Sequence, residues 1–410
     1  MDTKETNIIQ HRQPGIVENL PYNYEFHSPV KICSGKKAME HIPFELAAMN
    51  VTRPLVLASD SLIGRRAIKL LTNAFKESEM SFYVCDDVPD NADAETVRRL
   101  TTLYLEKNHD AIIVAGDGAA VDIAKVIRLM VAEKTDDPEQ FEGEIKLTRA
   151  PAPLITLQTF DGSGLEASGW ATVCNQTFFS AQLAPQICVI DPRMIIPMDI
   201  KTTWARAMVS LSQAVEVYMA ADRNPVAINY AFTAIQSIRK NLAPVFSKWV
   251  SNKKRLALIN AYTAAACAFS NNQPGPCFLL GKATAKIGHL NLGTAMGIIL
   301  PYAMTQYMRK TNCDLADLLR PLSSGDDYAG TTSSLRGKKA IRCLYDLQWT
   351  WHQASRRKIP LTLKDVAVGR YLFPDIIETA LKNGLPVFDK SDCETVLEHA
   401  WEAKPLNVTS

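Results

Sequence analysis

A short apolar run, Asp110-Ala-Ile-Ile-Val-Ala115, leads into Gly116-Asp117-Gly118-Ala119-Ala120 and then into a helical pattern over 121–133. A glycine-containing turn between a strand and a helix leaves peptide N–H groups unpaired at the positive end of the helix, which suits a pyrophosphate. The same spacing also serves a tight strand-to-helix turn that simply needs small residues. Asp117 sits within the turn, and a carboxylate beside a phosphate is repulsive unless it turns away or pairs. Metal chemistry has little to draw on. The seven histidines (11, 27, 41, 109, 289, 352 and 399) include no His-x-x-x-His pair, and the nine cysteines include no Cys-x-x-Cys. Cys277, His289 and Glu216 form one set that folding could assemble into a site. They lack ligand spacing, so their other reading is satisfied or solvated side chains. Trp349 and Trp351, followed by Arg356-Arg357-Lys358, read as a helix anchor with a solvated end in preference to a partner surface.

These groups depend on a frame of strands and helices. Apolar runs at 53–59, 80–85 and 110–115 alternate with helical spacing at 62–77, 94–107 and 121–133. Buried strands that alternate with helices specify a parallel sheet with crossover helices. Further strands are expected at 153–157, 170–173 and 187–190. Beyond Pro197 the pattern is helical, over 202–221, 224–241, 253–269, 294–308, 340–354, 375–383 and 390–401, with a loop expected over 323–337. The expected organisation is an α/β dinucleotide-binding-type domain over 1–197 and an all-helical domain over 198–410.

The 410 residues fit two to three domains at about 150 residues each. Lys and Arg number 45 against 43 Asp and Glu, a net charge of +2, which argues against a nucleic-acid binder led by phosphate neutralisation. No stretch approaches the roughly 18 apolar residues of a membrane span. Residues 1–18 lack the apolar centre of a secretory signal and the acid-poor character of a transit peptide. Scattered cysteines, odd in number, read as reduced thiols that fill the core. The expected location is therefore the cytoplasm.

The turn at 115–125 resembles the G-G-G-S-x-x-D-x-A-K motif of the iron-containing (group III) alcohol dehydrogenases. Leu157-Gln158-Thr159-Phe160-Asp161-Gly162-Ser163-Gly164-Leu165-Glu166 is similar to that family's P-T-T-x-G-T-G-S-E segment. Val189-Ile-Asp191-Pro192 is similar to its V-x-D-P strand end. Residues 264–271 resemble its A-G-x-A-F-S-N helix, and 293–301 its G-x-x-N-A-x-L-L-P segment. The matches fall in order across nearly the whole chain. The resemblance implies a dehydroquinate synthase-like fold, an α/β N-terminal nucleotide-binding-type domain followed by an all-α C-terminal domain. It also implies hydride transfer between an alcohol or aldehyde and NAD(P), with a divalent metal that polarises the substrate oxygen.

In that family the metal is held by an Asp and a His one helical turn apart and by two later histidines. Carried onto this chain, those positions are Val209, Gln213, Phe278 and Leu292. Three apolar side chains cannot coordinate a cation, and Gln213 alone is a poor donor, so no metal is expected. A further family histidine near the nicotinamide corresponds to Lys282, whose other reading is a solvated surface lysine. The resemblance assigns NAD(P) contacts to Asp60, Gly116, Gly118, Asp122, Thr159, Gly162, Ser163 and Gly164. Ala119, Phe160 and Leu165 replace hydroxyl residues, and Asp117 and Asp161 add negative charge. Asp122 and Lys125 could equally serve packing and capping.

Two functions compete. One is a metal-independent nicotinamide oxidoreductase in which Lys282 and Gln213 act as donors to a carbonyl or carboxylate. Maleylacetate reductases, relatives that do without a metal, give that reading precedent. The other is a non-catalytic subunit, in a homo- or hetero-oligomer with an active paralogue or another enzyme, whose Val209, Phe278 and Leu292 plug a closed cleft. A small-molecule ligand in the interdomain cleft is compatible with either.

Overall fold

The computed structural model describes residues 24–405 apart from 90–92, 117, 159–163, 175, 197, 221–222 and 248. Its first part alternates β1 (Lys31–Ser34), α1 (Ile42–Ala48), β2 (Pro54–Ala58), α2 (Leu62–Ala74), β3 (Tyr83–Cys85), α3 (Ala94–Glu106), β4 (Ala111–Ala115) and α4 (Gly118–Glu133). Then come β5 (Gly143–Glu144), β6 (Leu154–Leu157), β7 (Trp170–Val173), β8 (Gln176–Phe179) and β9 (Ile187–Ile190). Six strands form one parallel sheet in the order β1-β9-β6-β4-β2-β3.

The central strands are buried along their whole length, and almost wholly apolar, because both sheet faces are covered. Leu55, Leu57, Ile112 and Val114 pack on one face with side chains of α3 and α4. Val56, Ile113 and Ile155 pack on the other with α1 and α2. Side chains of Ser61 and Asp93 cap the starts of α2 and α3, each accepting a backbone N–H.

Residues 170–173 form a strand, as expected, but outside the main sheet. They pair antiparallel with β8, and β8 pairs with β5, in a separate three-stranded sheet. The helix after the glycine turn opens at Gly118 and not at 121.

The second part is helical: α5 (Ile200–Val217), α6 (Pro225–Val245), α7 (Asn252–Phe269), α8 (Pro276–Ile287) and α9 (Leu292–Thr311). It continues through α10 (Leu319–Leu322), α11 (Gly325–Ala329), α12 (Ser333–Ala354), α13 (Phe373–Lys382) and α14 (Lys390–Glu402). The stretch 323–337, expected as loop, therefore holds a short helix and the first turn of a long one. α5 is sheathed by α6, α7 and α9, and every residue from Ala207 to Val217 is buried. The approach of α9 is close: a Cβ on Gly293 would lie 1.8 Å from the Ala205 carbonyl oxygen. Trp351 is buried and Arg356 and Arg357 are exposed, as an anchored helix with a solvated end expects, but Trp349 is exposed and does not anchor. All nine cysteines are free thiols. Among the described residues, no helix is long and apolar enough to cross a membrane.

Candidate functional site between the sheet and the helices

α8 begins with Pro276 at its first position, where the missing N–H costs nothing. Its N-cap, Gly275, has no side chain to satisfy the remaining N–H groups. A carboxylate from another helix does so instead. Glu216, fully buried on α5, accepts from Gly275 N at 3.1 Å and from Phe278 N at 2.9 Å. Burial pushes the Glu216 carboxyl up to about 7, and these N–H groups pull it back down. The contact ties the start of α8 to α5 and so aims the next turn of α8.

That turn carries Lys282. A cavity of about 740 Å³ lies between α8, the β7–β8 hairpin and α4, and Asp122, Trp170, Thr177, Phe278, Lys282 and Leu292 line it. Lys282 is half-buried, and its ammonium donates to Thr177 Oγ1. The Thr177 and Thr172 hydroxyls are 2.9 Å apart. Burial lowers the Lys282 pKa to about 8. Lys286 lowers it further, and Glu142 and Asp122 oppose the change. A positive group that is partly desolvated yet faces a cavity can polarise an oxygen placed there. Lys282 is thus not the solvated lysine of its other reading.

The segment before the helices and the helices themselves each match a family model. "Iron-containing alcohol dehydrogenase" matches residues 29–192, and "Fe-containing alcohol dehydrogenase family, C-terminal" matches 203–398. The chain belongs to the iron-containing alcohol dehydrogenase family. It is 22% identical to a choline dehydrogenase from Bacillus subtilis, over 90% of each chain. Its fold resembles an alcohol dehydrogenase from Oenococcus oeni, with TM-score 0.83, 22% identity, and coverage of 92% of this chain and 100% of that one. It also resembles a sulfoacetaldehyde reductase from Bifidobacterium kashiwanohense in complex with NAD+, with TM-score 0.78, 19% identity, and coverage of 93% and 99%.

In this family member the four residues expected at the metal positions are spread over three helices. Val209 and Gln213 are on α5, Phe278 is on α8, and Leu292 opens α9. Phe278 and Leu292 line the cavity with Lys282, whereas Val209 and Gln213 do not. Of the two residues expected to act as donors, Lys282 lines this cavity and Gln213 does not. Gln213 lies in the packed interior, and neither its Oε1 nor its Nε2 has a hydrogen-bond partner among the described residues. Phe278 packs with Phe269 at 5.2 Å between ring centroids, and both pack with Trp170 of the hairpin, at 6.4 and 5.8 Å. These rings join α7 and α8 to the small sheet. The Cys277–His289–Glu216 set also fails to converge. Cys277 Sγ faces the Met296 carbonyl, Glu216 holds the start of α8, and His289 is exposed. Among the described residues, no group of three or more His, Cys, Asp or Glu could hold a metal ion.

On the sheet side, Gly116 is buried behind the end of β4 and Gly118 opens α4. A side chain at Gly118 would meet no atom within 4 Å. Asp122 reaches the cavity one turn later. Lys125 does not, because it is fully buried and donates to the Trp170 carbonyl at 2.7 Å, joining α4 to the hairpin. Asp60 is exposed and ion-paired with Arg65 at 2.5 Å. Thr159, Gly162 and Ser163 lie outside the described residues. Gly164 takes φ +90°, and a Cβ there would come 2.1 Å from the Tyr262 carbonyl oxygen, so only glycine lets the chain pass against α7.

Sequence reasoning missed α8, the β7–β8 hairpin contact and the role of Glu216. A signal existed for the first. Gly275-Pro276 is a loop followed by a proline at the first helical position.

Proposed function

We propose that this chain is an NAD(P)-linked oxidoreductase acting on a carbonyl or alcohol without a divalent cation. The observation that carries the reading is Lys282: a half-buried ammonium held against Thr177 on the wall of the interdomain cavity. At the positions that resemblance assigns to the metal, the donor chemistry does not fit one. Val209, Phe278 and Leu292 have no donor atom, and Gln213 offers a single neutral oxygen.

The start of α4 fits a dinucleotide. Open space at Gly118 exposes a helix N-terminus to which a pyrophosphate can bind. A bound nicotinamide dinucleotide would supply or accept the hydride. The chain's own residues then orient the partner and manage charge. Lys282 stabilises negative charge that develops on the substrate oxygen, and near its pKa it can give that oxygen a proton. Trp170 and Phe278 limit water around it.

The test is NADH titration followed by fluorescence, then aldehyde reduction with and without a strong chelator. Saturable NADH binding and chelator-insensitive turnover are expected. No binding at millimolar cofactor would end the proposal.

A second reading has its own support. The Trp170–Phe269–Phe278 ring cluster suits a cleft held shut by packing, as in a non-catalytic subunit beside an active paralogue. Native mass spectrometry of protein isolated from its source distinguishes the two. A hetero-oligomer without turnover supports this reading, and a homo-oligomer that turns over removes it.

A further inference from the structure

β7 and β8 pair antiparallel with Thr172 directly opposite Thr177. Side chains opposite each other in such a pair stand on the same face of the sheet, close enough for their ends to touch. Alternation along the strands sends Val173 and Phe178 into the core shared with α4. Both threonines stay on the face that lines the cavity with α8. α8 brings Lys282 onto one end of this hydroxyl pair.

The three groups form an unbroken chain. The Lys282 ammonium donates to Thr177 Oγ1, and Thr177 Oγ1 lies 2.9 Å from Thr172 Oγ1. An ammonium has hydrogens and no acceptor, so Thr177 Oγ1 accepts from it and keeps its own hydrogen for Thr172. Thr172 is half-buried, so water can reach its hydroxyl. Trp170, Thr177, Phe278 and Lys282 also line a second cavity, of about 940 Å³, whereas Thr172 lines the first alone. A substrate that meets Lys282 from the larger cavity leaves the Thr172 end of the chain uncovered.

We propose that Thr172 and Thr177 relay a proton from solvent to Lys282, replacing the one that Lys282 gives to the substrate oxygen in each reduction. The proposal rests on the reading of Lys282 as that donor. As the substrate carbon accepts hydride from the dinucleotide, its oxygen takes a proton from Lys282: an N–H bond breaks and an O–H bond forms. The neutral amine then takes the Thr177 hydrogen, Thr177 takes that of Thr172, and Thr172 takes one from the solvent. One solvent proton is consumed per carbonyl reduced, as the reaction requires. Both threonines are positioning residues, since they act through Lys282. The charged groups that act on Lys282 are Lys286 on its own helix, Glu142 ahead of β5 and Asp122 on α4, and His289 lines the same cavity. All four stay in place in the variants below.

Two measurements test the relay. In cofactor-free protein, acetylation of Lys282 by dilute acetic anhydride is followed against pH by mass spectrometry. Thr177→Val should move the midpoint below about 8, because the ammonium loses its acceptor, whereas Thr177→Ser and Thr172→Val should leave it near its wild-type value. In aldehyde reduction with NADH, Thr177→Val and Thr172→Val should each lower kcat roughly tenfold with KM nearly unchanged, and the serine variants should recover most of it. Imidazole, a small proton carrier, should raise kcat in the valine variants and leave wild type unchanged. Valine keeps the β-branched shape that the strands favour, so the hairpin is retained. A kcat equal to wild type in both valine variants, or a loss that imidazole does not restore, overturns the relay and leaves the oxidoreductase reading standing. Wild type without any turnover removes that reading and the relay together. An unmoved acetylation midpoint in Thr177→Val overturns the Lys282–Thr177 link on which the relay depends.

Discussion

Two lysines mark the contrast between the sheet core and the interdomain wall. Lys125 on α4 and Lys282 on α8 both have pKa values lowered chiefly by burial. Lys125 is enclosed, donates to a backbone carbonyl, and has the charges of Asp122 and Glu166 near it. Lys282 shares a hydroxyl with a hairpin and faces a cavity, with a second lysine nearby. Desolvation alone therefore does not mark a reactive group. A lysine must also be reachable, and its neighbours must leave its charge incompletely balanced.

The strongest way to break this contrast is to remove each lysine in turn. Lys125→Met should cost about 3–5 kcal/mol of stability, because it takes a positive charge from beside the buried Glu166 and leaves the Trp170 carbonyl without its donor. Lys282→Met should cost under about 1 kcal/mol, since its site is partly open. Denaturant melts of both variants check this, and equal losses would erase the distinction.

The anchor of the Lys282 wall provides the next test. Glu216 has a carboxyl pKa raised from 4.5 to about 7 in the fold. A raised folded pKa means that the native state holds the proton more tightly than the unfolded chain. The stability that this group contributes is full below about 4.5 and is lost as pH rises through about 7. The difference in stability between wild type and Glu216→Gln should therefore change by up to about 3 kcal/mol between pH 4 and 8, with wild type relatively weaker at the higher pH. A flat difference would mean that folding leaves the Glu216 pKa where it is in the unfolded chain.

Catalysis sharpens the contrast in smaller units. Aldehyde reduction should fall as pH rises through about 8, where Lys282 loses its proton. Lys282→Met should lower kcat by roughly 10- to 100-fold and flatten that limb. An unchanged pH profile in the variant would assign the titration to another group. The smallest effect is expected far from both lysines. Asp60→Asn should shift stability by less than about 0.5 kcal/mol, as its ion pair is exposed. Equilibrium denaturation measures that directly, and a larger loss would show that Asp60 does more than pair with Arg65.

The parallel core was legible in the sequence because its strands are apolar on both faces and its helices are amphipathic, as in Leu55–Val56–Leu57 and in Val97 and Leu100. α8 was not. Its sequence from Pro276 to Ala285 is apolar on nearly every side, since α9, α13 and α5 surround it, and a helix buried all round has no periodicity to read. Strand β1 escaped notice because Lys31–Ser34 is short, polar and at the sheet edge. The site divides in the same way. That Val209, Phe278 and Leu292 lack donor atoms follows from their identities wherever they lie. That Lys282, and not Gln213, reaches the cavity depends on which way α8 faces, and the Glu216 contact from another helix sets this direction.

The one-dimensional pattern thus determined the alternation of strands and helices and the kinds of atoms available at each position. Those are local properties, carried by residue type and period. Which basic groups are desolvated, which of them a ligand can reach, and which buried donors go unmet were decided only when distant segments packed together. Solvation and charge are set by all of a group's neighbours in space, and most of those neighbours are remote along the chain.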